Sequence, residues 1–125
     1  MSEHRLKNKK DRVKSWHFPV FHNYEIKVVS SSNIKKAVKK FEHTKNISAE
    51  DLEDSHALHF WVKDEDMSYI FLPHKTTISA TVHEAYHAIR RMLNVFGVDV
   101  DDNEIVAYHL GYMVQEISDW RWSWK

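Results

Sequence analysis

Apolar and polar positions change their spacing several times along the chain, and each change marks an element. Tyr24-Glu25-Ile26-Lys27-Val28-Val29 alternates with a period of two, which predicts a strand over residues 24–29. Ser31, Ser32 and Asn33 then offer capping side chains to residues 34–41, where Ile34, Ala37, Val38 and Phe41 make one helical stripe. After a polar connection over residues 46–55, Leu58, Phe60 and Val62 share one face of residues 56–62. An acidic turn, Asp64-Glu65-Asp66, leads into the apolar run 67–72, and Pro73 closes it, so the pair reads as an antiparallel hairpin. From Ile78 the period becomes helical: Val82, Ala85, Ile89, Met92, Leu93 and Phe96 form a stripe that stops at Gly97, a good residue for the left-handed turn after a helix. A last helix is expected over residues 102–119, with Ile105, Val106, Leu110, Val114 and Ile117 facing the core. The first 15 residues show no apolar period and predict a flexible basic arm, with structure beginning near Trp16.

At 125 residues and 42% hydrophobic, the chain can bury one core but hardly two, so residues 16–125 are expected to form a single α+β domain. Cysteine is absent, which removes disulfides, thiolate zinc sites and cysteine nucleophiles and leaves His, Asp and Glu as the metal-binding side chains. Residues 1–45 carry 12 Lys/Arg against 4 Asp/Glu, and residues 46–125 carry 6 against 14. The basic half admits a nucleic-acid or acidic partner, although a solvated lysine face is the plainer reading. The start, Met1-Ser2-Glu3-His4-Arg5-Leu6-Lys7, has no hydrophobic signal segment, and no run of about 18 apolar residues occurs, so a cytoplasmic protein without membrane contact is expected. Only two glycines, Gly97 and Gly111, are present and they form no phosphate-cradling loop. Trp120, Trp122 and Trp124 alternate near the C-terminus and would stripe one face of an extended segment.

The candidate chemistry lies in the first of the two long helices. His83-Glu84-Ala85-Tyr86-His87 places two imidazoles four residues apart on one helical face, half-covered at the margin of the apolar stripe, where they can grip one zinc ion. Glu84 would stand beside the open coordination position as a general base. A third ligand is needed, and Glu104, 17 residues after His87 at the start of the next helix, is the first candidate. Asp101 and Glu104 are also spaced as a capping box, in which the glutamate only caps its own helix. Glu116, Asp119 and His109 are the spare ligands. For the donor that an oxyanion requires, Tyr108, His109 and Tyr112 on the last helix, Tyr86 within the motif and His74 before it are candidates, each with packing as its plainer use. Arg90 and Arg91 could pair with Glu84 or with a substrate carboxylate.

With a following Asn103-Glu104-Ile105-Val106-Ala107, the motif helix resembles the gluzincin group of zinc metallopeptidases. More narrowly, residues 61–117 resemble small HExxH proteins encoded by phages and prophages, and the whole likeness covers residues 56–117. It implies a minimal zincin-like domain and a small, mainly antiparallel sheet whose edge strand holds an extended peptide. It further implies Zn2+ held by His83, His87 and Glu104, a peptide or protein substrate, and host cytoplasm for a phage-encoded chain. Tyr108 stands where gluzincins commonly carry an acidic residue. A non-catalytic protein of phage assembly or host interaction, with the same metal serving as a staple, is the alternative.

Overall fold

The computed structural model describes residues 10–41, 57–62 and 64–123. Four strands and three α-helices follow one another as β1 (Arg12–Phe18), β2 (Tyr24–Ser31), α1 (Ile34–Lys39), β3 (Leu58–Trp61), β4 (Met67–Pro73), α2 (Ile78–Val95) and α3 (Asn103–Trp122), with a 3-10 turn at Pro19–Phe21 between β1 and β2. The fold is α+β, a four-stranded sheet in the order β1-β2-β4-β3. The β1–β2 and β3–β4 pairs are antiparallel, and β2 and β4 run parallel, from Glu25 opposite Met67 to Ser31 opposite Pro73. No helix among the described residues is long and apolar enough to cross a membrane.

Alternation along the strands sorts side chains onto two faces. On one, Trp16, Phe18, Tyr24, Ile26, Val28, Ile70 and Leu72 pack against Ala85, Ala88, Ile89, Met92 and Leu93 of α2 and Val106, Met113 and Ile117 of α3. On the other, Val29, Tyr69 and Phe71 pack against Ile34, Ala37 and Val38 of α1. The central strands β2 and β4 are thus covered on both sides, which is why residues 67–72 read as an unbroken apolar run.

The hairpin, the closing Pro73 and the three helices stand where the periodicities place them. Asn33 caps α1, its side chain accepting from the Lys36 amide at 3.1 Å. Gly97, at φ +72°, ends α2. There the Gly97 amide donates to the Asn94 carbonyl and the Val98 amide to that of Leu93, the pair of bonds that closes a left-handed helix terminus.

Three expectations need correction. Residues 12–15, expected in the arm, belong to β1 and pair with residues 27–30, whereas residues 1–9 of the expected arm lie outside the described residues. β1 pairs with β2 through backbone bonds, and its first three residues, Arg12, Val13 and Lys14, are exposed, so they form no buried face for a periodicity to report. Trp120 and Trp122 lie in the last turn of α3, not in an extended segment. There the Trp120 ring meets Trp16 edge-on at 5.8 Å, while Trp122 is exposed; Trp124 is outside the described residues. Asp102, not Asp101, caps α3, accepting from the amides of Glu104 and Ile105 at 3.0 and 3.3 Å. Glu104 is therefore one position too early to close a capping box.

Candidate metal centre

The sequence makes α2 helical through the motif because Thr77 caps it, accepting from the Ala80 amide at 3.0 Å, and because the stripe from Ala85 to Leu93 buries against the sheet. With that stripe fixed, His83 and His87 emerge together on the flank of α2 that overlooks β3. Their Nε2 atoms stand 3.2 Å apart, with the rings crossed edge to face at 4.7 Å. Both imidazoles are exposed rather than half-covered, whereas Glu84 between them is half-buried. Burial lifts the Glu84 carboxyl above its ordinary pKa, and the charges of His83 and His87 pull the other way.

An open cleft of about 440 Å³ begins at His83. His83 and Glu84 line it together with Ala57, Pro73, Lys75, Thr76 and Ser79. The cleft thus runs from the motif over the capped start of α2, and it is walled mainly by small and hydroxyl side chains.

One residue outside the expected set belongs to this place. His59 of β3 stacks on His87 at 6.1 Å with the rings 20° from parallel. Its Nε2 lies 3.2 Å from the Ser68 Oγ of β4, and that hydroxyl lies 2.6 Å from the phenol oxygen of Tyr24. Burial, then the charges of His87 and Arg91, press the His59 pKa from 6.5 down to about 4, so the ring is neutral at pH 7. The signal was present in the strand pattern. Leu58, Phe60 and Val62 alternate onto one face, which sends His59 and Trp61 to the opposite face, where α2 lies. One turn after His87, Arg91 sets its guanidinium over Trp61 at 4.6 Å.

Glu104 is not brought to the pair, and among the described residues no three His, Asp or Glu side chains are gathered as a metal-holding group. The cause is the direction of the helices. Arg121, at the end of α3, donates from Nη1 to the Pro73 carbonyl at 3.4 Å and from Nη2 to the His74 carbonyl, just before α2 begins. The two helices are therefore antiparallel, and the start of α3 adjoins the end of α2. Eight residues separate His87 from Val95, about 12 Å of helix.

The remaining candidates are engaged elsewhere. Glu116 accepts from the Trp16 indole at 3.1 Å and Asp119 from Gln115 at 2.9 Å. The His109 Nδ1 lies 2.9 Å from the Ile105 carbonyl, and its ring packs on Phe21. Tyr108 projects into solvent at 74% exposure, and Tyr112 packs on Phe18. Neither Tyr108 nor His109 is therefore placed as an oxyanion donor near His83 and His87. The buried His74 bonds through Nδ1 to the Ser30 hydroxyl at 2.8 Å, and Arg90 donates to the Tyr86 hydroxyl at 2.8 Å.

No family model, no curated protein and no solved structure matches this chain.

Proposed function

We propose that the protein is a zinc-dependent hydrolase of peptide bonds, built as a minimal zincin-like domain, in which His83 and His87 hold the ion and Glu84 is the general base. The observation that carries the reading is the 3.2 Å between the two Nε2 atoms. Two nitrogen ligands of a tetrahedral zinc, at metal distances of about 2.0–2.1 Å, lie about 3.3–3.4 Å from each other. The separation, within hydrogen-bonding range without a metal, is close to the spacing that one ion requires, on a helix packed against the sheet.

A bound zinc supplies Lewis acidity toward a carbonyl and toward water. The chain supplies the rest. Glu84 lines the cleft beside His83, and its raised pKa brings it nearer to the neutral range in which a carboxylate both takes and returns a proton efficiently. Its role is to accept the proton of an attacking water and deliver it to the leaving amine. Among the described residues β3 pairs with β4 alone and lies next to the histidines, so its outer side is where an extended peptide would add to the sheet.

The test is metal content and peptidase turnover of wild type, Glu84→Gln and His87→Ala. Wild type should carry close to one zinc. His87→Ala should lose it, and Glu84→Gln should keep the metal while turnover falls by roughly 10²–10⁴-fold. Equal turnover in wild type and Glu84→Gln would remove the hydrolytic reading and leave a metal staple in a non-catalytic protein.

A further inference from the structure

The pair of imidazoles leaves a zinc ion short of the third protein ligand that catalytic sites use. Granted the metal reading above, on which this inference rests, we propose that His59 of β3 is that ligand and that Ser68 orients its ring.

Position is the first argument. His59 lies on the strand beside α2, on the sheet face turned to that helix, with its ring 6.1 Å from that of His87 but not gathered with the pair into a metal-holding group. Glu104 lies at the opposite end of α2, and Glu116, Asp119, His109 and His74 are each committed to partners away from the pair.

Distance is the second. Imidazoles sharing one tetrahedral ion have ring centroids about 5 Å apart. His83 and His87 stand at 4.7 Å and His59 and His87 at 6.1 Å with the rings 20° from parallel, so His59 must approach by about 1 Å and turn its ring until the ion lies in the plane of both. Binding is therefore expected to draw a strand side chain onto a preformed helical pair.

The support around His59 is the third. Metal-binding histidines commonly give their second ring nitrogen to an outer partner that fixes tautomer and orientation. Ser68 Oγ, fully buried and itself bonded to Tyr24, is placed as that partner for Nε2. Nδ1 is then the nitrogen left to carry a lone pair.

The experiment titrates zinc and cobalt(II) into wild type, His59→Gln, Ser68→Ala, Glu104→Gln and His87→Ala, reading affinity by chelator competition and ligand field by the cobalt absorption bands. His59→Gln should weaken binding at least about 100-fold and change the cobalt spectrum, and Ser68→Ala should weaken it about 10-fold or more. Glu104→Gln should match wild type in both. Nitrogen-resolved ring signals of the unmutated protein give a second readout that needs no variant: those of His59 should move on zinc addition together with those of His83 and His87. Wild-type affinity and spectrum in His59→Gln, or His59 ring signals unmoved while those of the pair shift, would overturn the inference and leave the pair as the site. Absence of metal binding by wild type would overturn both readings.

Discussion

The His59 imidazole gains a proton only near pH 4 in the folded chain, against 6.5 when unfolded. Between those values the unfolded chain binds a proton that the folded one refuses, so stability falls as pH drops from about 6.5 to about 4 and this contribution is flat outside that window. The full difference corresponds to about 3 kcal/mol, an upper figure. Urea unfolding of metal-free protein at pH 7 and pH 4 should show a smaller acid loss for His59→Gln than for wild type. Identical losses would mean that the ring is not under this pressure. The residue also shows where sequence reading stops. The spacing of His83 and His87 fixes their shared face through helical geometry alone, whereas His59 joins them only because β4 lies between β2 and β3 and seats α2 above that edge.

At the scale of elements, periodicity located the three helices and three of the four strands found among the described residues, since each buries a repeating stripe or face. It was silent about β1, whose only buried side chains are Trp16 and Phe18. It was also silent about which flank of α2 receives α3. Glu104 was attractive as a ligand because a helix crossing α2 at the motif would carry it there. The helix is antiparallel, as expected, but its start adjoins the end of α2 rather than the motif, which leaves Glu104 as an exposed residue of a first turn, where its charge suits the helix dipole. Capping of that turn belongs to Asp102. Replacing Asp102 by Ala should cost about 0.5–2 kcal/mol in denaturant unfolding, and Asp101→Ala distinctly less. The reverse ranking would return the cap to Asp101.

Across the whole molecule, one side chain ties distant parts of the sequence together. Arg121 reaches from the end of α3 to the Ser30 hydroxyl at 3.0 Å and to the carbonyls of Pro73 and His74, closing the last helix onto β2 and onto the loop that starts α2. Burial lowers its pKa, yet it stays charged at neutral pH, and charge-assisted bonds of this kind are the stronger ones. Arg121→Met should lower the unfolding free energy by about 2–4 kcal/mol, while the spacing of the two motif imidazoles, on the far flank of α2, should leave zinc affinity within a few-fold of wild type. A loss of metal binding as large as that of His87→Ala would contradict this separation. The motif helix divides labour between its sides: α3 braces it over β1 and β2, and the histidines look out over β3. Foundations and workshop thus occupy different walls that meet at one corner, the loop before α2, which Arg121 grips and which also lines the cleft at His83.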